Sequence, residues 1–566
     1  MPAEARHQLQ GVGVSPGVVV GPVAKVGGEV PVPPETARGA AAADPTAEAG
    51  AASQALEWVA ADLEVRGQTA GGEAQAVLEA QAMMARDPGL TDQIEQFVNV
   101  GRTAARAVYE AFGLYRKMLG GAGDYMAARV ADLDDIRDRV VARLLGVAMP
   151  GVPDPGHPFV LVARDLAPAD TATLNRDQVL ALVTEEGGPT SHTAILAKSM
   201  GVPAVVATAG ALSLLEDGTR VVVDGGAGVV VADPTDAEIQ AAEARAEALR
   251  AAREAFVGIG RTTDGHHVDL LANVGGPGDV EGAVAHQAEG VGLFRTEFLF
   301  LDRSDPPTVE EQVAAYRAVF DAFPGGKVVV RTLDAGADKP LAFLDLGEEP
   351  NPALGVRGLR AVRRRTELLD AQLDAIAQAA EGSRADVWVM APMVATAEEA
   401  AWFTGQLRDK PVKKAGVMIE IPAAALTADA ILDVADFASL GTNDLAQYTF
   451  AADRLVGVLA PLQSPWQPAL LKLVAATAEA GRALGKPVGV CGEAAGDPVL
   501  ALVLVGLGVT SLSMAPPSLA DVRMLIGRHS LADCRRLAEL ALTAPDATSA
   551  RDRLRGATPV LAELGL

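Results

Sequence analysis

From about residue 260 to the C-terminus the chain repeats one pattern: a short apolar run, a polar or glycine-bearing end, then apolar residues at helical spacing. The runs lie at 270–274, 290–294, 328–331, 387–390, 415–420, 437–441, 487–491 and 511–514. Short runs rich in Val, Leu and Ile suit strands covered on both faces, and their alternation with helical patterns makes the sheet parallel. Eight such units predict a closed (β/α)8 barrel, whose functional side chains collect at the C-terminal strand ends.

The N-terminal part has a different grammar. Residues 10–23 mix β-branched residues with turn formers and read as one or two strands, and 27–50, rich in Ala, Pro, Glu and Gly without period, read as a mobile connection. From 51 to 145 apolar residues recur at three and four positions (Leu56, Val59, Ala60, Leu63; Ile94, Phe97, Val98), with breaks at Asp87-Pro88-Gly89 and at 120–123, which predicts a four-helix bundle or hairpin pair. Residues 150–234 alternate short strands with helices and glycine turns, a compact α/β unit. The Ala/Glu/Arg-rich stretch 237–253 carries opposite charges at helical spacing and reads as a linker helix. The fold class is therefore multidomain α/β: a helical domain (27–148) inserted into an α/β domain (1–26 and 149–234), a linker (235–259) and a C-terminal barrel (260–566).

Composition narrows the setting. The chain has 566 residues, too many for one core, and 49% of them are hydrophobic, enough for several. A formal net charge of −25 argues against nucleic acid or anionic membrane as partners and permits a basic protein partner. Two cysteines, no signal-like opening and no apolar run near the ~20 residues a bilayer needs point to the cytoplasm. An anionic substrate would need arginines gathered locally against this global field.

Such a gathering is written at the strand ends: Asn273, Arg295-Thr296-Glu297, Arg331 with Asp334 and Asp338-Lys339, Glu420, Asn443-Asp444, Cys491-Gly492-Glu493 and Ser513. Guanidinium forks beside two carboxylates on successive strands, Glu420 and Asp444, suit a phosphate ester bound with a hard divalent cation. Singly each arginine reads as a surface residue; at one barrel mouth they read as a site. In the α/β unit, Gly187-Gly188-Pro189-Thr190-Ser191-His192-Thr193-Ala194-Ile195-Leu196 places His192 near a helix start after a buried strand. Free N–H groups there favour an anion carried on the imidazole, although on local chemistry alone a histidine between Ser and Thr is also an ordinary capped turn residue.

The segment from Gly187 to Val206 resembles the phosphohistidine signature of the phosphoenolpyruvate-utilising enzymes, and the whole chain resembles Enzyme I of the sugar phosphotransferase system. The barrel carries the matching blocks Ala288–Phe300, Val330–Asp334, Asn351–Arg357, Met418–Ala424, Gly441–Tyr448 and Cys491–Asp497. The resemblance implies that His192 takes the phosphoryl group of phosphoenolpyruvate and passes it to a histidine of the carrier HPr, with release of pyruvate. It implies that Arg295, Arg331 and Arg454 bind substrate with Asn443, that Glu420 and Asp444 hold Mg2+, with Asp444 also at the substrate, and that Lys339 and Arg357 assist. Cys491, otherwise a small buried hydrophobe, would donate the proton that turns enolpyruvate into pyruvate, a role suited to a thiol with a near-neutral pKa. It further implies carrier docking on the helical domain around Gln81-Ala82-Met83-Met84, a swing of the α/β domain on the linker helix, and homodimerisation through the barrel. Two positions depart from the family: Pro189 stands where Arg is frequent, and 455–462 replace a segment that usually holds Tyr or His. A dikinase or synthase of the same chemistry would need a nucleotide-binding domain that the helical stretch does not offer, and a silent scaffold would not need the retained charged set.

Overall fold

The computed structural model describes residues 8–26, 30–35, 44–70, 78, 81–119, 124–147, 151–153, 155–166, 174, 178–188, 192–301, 303–336, 341–344, 347, 349–453 and 457–564. The opening segment forms β1 (Gln8–Gln10), β2 (Val12–Ser15) and β3 (Val18–Lys25), which join β4 (Phe159–Ala163), β5 (Val179–Thr184), β6 (Ala204–Val206), β7 (Arg220–Asp224) and β8 (Val229–Ala232) in one eight-stranded sheet of order β1-β8-β7-β3-β4-β5-β6-β2. β3 lies parallel to β4, Val23 opposite Val160, although more than a hundred residues separate them in sequence. Alternation along β4 explains its continuous apolar run. Val160 and Val162 enter one core with Val183, Val221 and Val223, while Phe159 and Leu161 enter another with Ala194 and Ala197 of the helix His192–Met200.

Between β3 and β4 run the helices Pro45–Ala70, Pro88–Asn99, Ala104–Leu119 and Asp124–Leu145. Asp87 caps the second by accepting the Leu90 N–H, with Pro88 in the first turn, so the break read at Asp87-Pro88-Gly89 is a helix start. The second expected break, 120–123, lies outside the described residues. Two expectations need correction. The stretch read as a mobile connection to residue 50 already contains the helix from Pro45, and the Pro33 and Glu35 carbonyls accept hydrogen bonds from Arg106 and Arg102. A further break falls at Gly101, whose φ of +92° ends one helix before Ala104 begins the next. In the Gln81–Met84 stretch Gln81 and Ala82 are buried and Met83 is 69% exposed.

The helix Asp236–Ala255 starts with a capping box between Thr235 and Glu238 and belongs to two cores at once. Ala242 packs with Val18 and Val222 of the sheet, and Arg245 pairs with Asp224 at 2.8 Å. One turn further on, Leu249 and Ala252 enter the barrel's core, and Arg253 grips Asp521 through two bonds of 2.5 and 2.8 Å.

All eight predicted barrel strands form: β9 (Asp269–Val274), β10 (Gly290–Arg295), β11 (Lys327–Arg331), β12 (Asp386–Ala391), β13 (Lys414–Ile419), β14 (Ala438–Leu440), β15 (Val488–Val490) and β16 (Ser511–Met514). Every neighbouring pair is parallel, and β16 closes on β9 with Leu512 opposite Leu270. Among the described residues no helix is long and apolar enough to cross a membrane.

Candidate active site at the barrel mouth

β10 and β11 end side by side with Arg295 opposite Arg331. Arg331 is buried, its Nη2 donating to Glu297 Oε1 at 2.9 Å, with Asp334 Oδ2 at 3.4 Å from Nη1. Burial opposes its charge, but Glu297, Asp334 and Glu420 outweigh that and hold its pKa above the usual arginine value. The Arg295 side chain is exposed to solvent in the mouth, yet the surrounding rim and neighbouring Arg331 hold its pKa below the ordinary value. An anion arriving there would satisfy it.

Across the mouth β13 leads into Glu420, almost fully buried, with Oε2 accepting the Met393 N–H at 2.9 Å. Burial first, then the like charges of Asp444 and Asp334, push its carboxyl up to about 8. Gly441, at the end of β14, is required there because a Cβ would stand 2.6 Å from Glu420 Oε1. The helix Thr442–Phe450 follows at once, putting half-buried Asn443 and buried Asp444 in its first turn. Asp444 Oδ1 accepts from Arg357 Nη1 at 3.0 Å, and Arg357 Nη2 is 3.4 Å from Asp334 Oδ2. Arg357 thus ties two carboxylates together. Tyr448, from the same helix, contacts Arg357 at 3.4 Å and donates to the Ala353 carbonyl, pinning the loop that carries Arg357.

Among the described residues, four carboxylates (Glu297, Asp334, Glu420, Asp444) thus face three guanidinium groups (Arg295, Arg331, Arg357). The like charges of Asp444 and Asp334 add to burial in raising the Glu420 pKa, and these hard oxygen donors fit a divalent cation such as Mg2+.

Cys491 follows β15 and is buried, its Sγ 3.6 Å from the Leu440 carbonyl. The strand end is braced by Asn273, which donates to the Cys491 carbonyl at 3.1 Å and accepts from Ser513 Oγ at 2.6 Å. The near-neutral thiol pKa expected from sequence is corrected. Burial pushes Cys491 up to about 11, against the pull of a Ser439 hydrogen bond and of Arg331 and Arg295, so it is a protonated thiol at neutral pH. Cys534 is buried away from this group in the barrel's outer core.

The helix His192–Met200 starts at the predicted histidine. It is fastened to its own domain by Thr193 Oγ1 donating to Asp165 Oδ1 at 3.0 Å. It also reaches the barrel: Lys198 Nζ lies 3.9 Å from Glu493 Oε2, in the turn just after Cys491, and a Cβ on Gly201 would stand 2.8 Å from Pro517 Cβ. The signature helix is therefore docked at the barrel mouth. Lys198, whose only sequence signal was its place six residues after His192, was missed as a contact residue. Lys339, Arg454, Pro189 and the His192 side chain lie outside the described residues.

Comparison with known proteins gives the family of the chain. Residues 10–129, 155–228 and 251–531 match the N-terminal, mobile and phosphoenolpyruvate-binding domain models of the phosphoenolpyruvate-utilising enzymes. The chain is 58% identical to a phosphoenolpyruvate-protein phosphotransferase of Streptomyces coelicolor over 96% of this chain and 98% of that one. It belongs to the phosphoenolpyruvate-protein phosphotransferase family. A Staphylococcus carnosus member of the same name is 39% identical over 83% of this chain and 85% of its own. A solution structure of an Enzyme I protein matches 43% of this chain at 31% identity with a TM-score of 0.38. As a member of this family the chain is a transferase carrying out phosphoenolpyruvate-dependent phosphoryl transfer in the phosphotransferase system.

Proposed function

We propose that the chain moves the phosphoryl group of phosphoenolpyruvate onto His192 and from there onto a histidine of an HPr-type carrier. The observation that carries this reading is the docking of the helix His192–Met200 on the barrel mouth, beside the strand ends that hold Arg295, Arg331, Glu420 and Asp444. Arg295, Arg331 and Arg454 bind the substrate's anionic oxygens together with Asn443, Lys339 and Arg357 assist, and Glu420 and Asp444 would hold Mg2+, which when bound neutralises phosphate charge. The His192 imidazole forms a bond to phosphorus as the bond from phosphorus to the enol oxygen breaks. The electron pair leaves with enolpyruvate, whose methylene carbon takes the proton of the Cys491 thiol to give pyruvate. Solvent then reprotonates the thiolate.

Transfer onward requires the α/β domain (1–26 and 149–234) to leave the barrel and face the helical domain (27–148), where Met83 stands exposed for a carrier. The linker region 235–259 suits that motion, since its helix is held by the sheet at one half and by the barrel at the other. Dimerisation through the barrel (260–566) completes the assembly by family analogy. Incubation with labelled phosphoenolpyruvate, Mg2+ and an HPr-type protein tests the reading: acid-labile label should pass from the enzyme to the carrier while pyruvate accumulates. An enzyme that makes no phosphoprotein would refute it.

A further inference from the structure

Gln372 lies on the helix Thr366–Ala380, on the outside of the barrel, among the buried apolar residues Leu368, Leu369, Leu373 and Ile376. A glutamine in that company must have all its hydrogen bonds met, and this one does. Its Oε1 accepts the Leu333 N–H at 2.9 Å, and its Nε2 donates to Thr296 Oγ1 at 2.9 Å and to Tyr316 Oη at 3.1 Å. The Leu333 N–H needs an acceptor, which fixes the orientation of the amide. The hydroxyls pass their own hydrogens on, Thr296 to the Arg331 carbonyl at 2.9 Å and Tyr316 to Gln312 Oε1 at 3.0 Å. Every bond in the chain has one possible direction.

The residues so joined lie just beyond the two arginines at the mouth. The β10–β11 ladder ends with Arg295 opposite Arg331. Beyond it Thr296 follows Arg295, Leu333 follows Arg331 by two, and the Gln372 amide supplies the next rung between them. Resting on the phosphotransfer reading above, we propose that Gln372 is a positioning residue, setting the spacing of Arg295 and Arg331 and so the grip on phosphoenolpyruvate. It touches no substrate. Its effect belongs to the half-reaction in the barrel and not to the transfer from phosphohistidine to a carrier.

The test compares Gln372→Leu, Gln372→Glu and Tyr316→Phe with the wild type as full-length protein, measuring labelling by phosphoenolpyruvate with Mg2+ and, separately, transfer from the pre-phosphorylated enzyme to an HPr-type carrier. Gln372→Leu is expected to lower kcat/KM for phosphoenolpyruvate about 10- to 100-fold, the scale of a misplaced binding group, chiefly through KM, with the carrier step within about twofold. Gln372→Glu replaces two donors by acceptors. Its carboxyl, buried and so drawn towards the neutral form, regains one donor as pH falls, so its kcat/KM relative to wild type should recover at low pH while that of Gln372→Leu stays flat. Tyr316→Phe, which loses only the outer arm, should keep phosphoenolpyruvate kinetics near wild type even where it melts earlier. Wild-type kinetics in both Gln372 variants, equal losses in both half-reactions, or a Tyr316→Phe defect as large as theirs would overturn the proposal. A wild type that takes no label would overturn the phosphotransfer reading and this one with it, whereas a labelled wild type beside unchanged variants would overturn this one alone.

Discussion

Lys198 Nζ stands 3.9 Å from Glu493 Oε2, joining the helix that begins at His192 to the turn that follows Cys491. Both side chains are partly exposed, so the pair is worth ~0–1 kcal/mol and cannot hold two domains together by itself. The close seat of Gly201 on Pro517, at a φ of +70°, is the stricter constraint. Lys198→Glu should slow labelling by phosphoenolpyruvate no more than about fivefold, matching the weakness of an exposed pair. Gly201→Val should slow it by about tenfold or more, since it adds left-handed backbone strain of ~1–2 kcal/mol to the steric clash. Neither should slow transfer to the carrier. Single-turnover labelling in the two directions checks this, and a Gly201→Val enzyme labelled at the wild-type rate would show that the docked contact is dispensable.

Glu420 gives a pH-dependent expectation. Its pKa in the folded protein, about 8, lies above the ordinary carboxylate value of 4.5. Its contribution to stability is therefore complete below about 4.5 and is lost as pH rises through about 8. Glu420→Gln keeps an oxygen for the Met393 N–H but carries no charge. Without Mg2+ it should melt a few degrees higher than wild type at pH 8–9, and it should lose the stabilisation by Mg2+ that wild type shows. Thermal melts with and without Mg2+ decide it; identical Mg2+-induced shifts in both proteins would contradict the assigned ligand.

Arg331 is held by Glu297 and Asp334, and a lysine has one point charge where the guanidinium has a planar fork. Arg331→Lys should keep at most one of the two contacts, at a cost of about 1–3 kcal/mol for the charged hydrogen bond lost, and should weaken phosphoenolpyruvate binding as well. Chemical denaturation and calorimetric titration of the variant measure the two effects, and a variant equal to wild type in both would remove Arg331 from the account.

How much of this was readable beforehand differs from place to place. The barrel strands were legible because each is a compact apolar run covered on both faces, and Arg295, Arg331 and Glu420 were legible because a charge at the end of such a run has few other places to point, whereas Asp444 sits in the first turn of the helix beyond its run. Gln372 was hidden. In a helix with Leu368, Leu369, Leu373 and Ile376 it reads as one polar position among many, and only the packed structure reveals that it faces inward. The helix from Pro45 was hidden for the opposite reason: its first turns are mostly Ala, Glu and Gly, with too little contrast between faces to show a period. The sequence named Cys491, but not how far burial would raise its pKa, which depends on neighbours from distant strands.

That raised pKa makes its own prediction. The Cys491 thiol, at about 11, stays protonated through neutral pH, and any stability it contributes is lost only as pH rises through that value. Native protein treated with iodoacetamide at pH 8 should be alkylated at Cys491 far more slowly than a free thiol, and peptide mass spectrometry reads the site directly. Rapid alkylation at that pH would mean an accessible thiolate in place of a proton donor.

In the proposed reaction one histidine links the two halves of the transfer. The most direct test is to phosphorylate the full-length enzyme with phosphoenolpyruvate and Mg2+ and locate the modification by mass spectrometry under conditions that preserve phosphohistidine. A single acid-labile phosphoryl group is expected on His192, absent from His192→Ala even though that variant still binds phosphoenolpyruvate. A phosphoryl group on any other residue, or persistent labelling of His192→Ala, would contradict it.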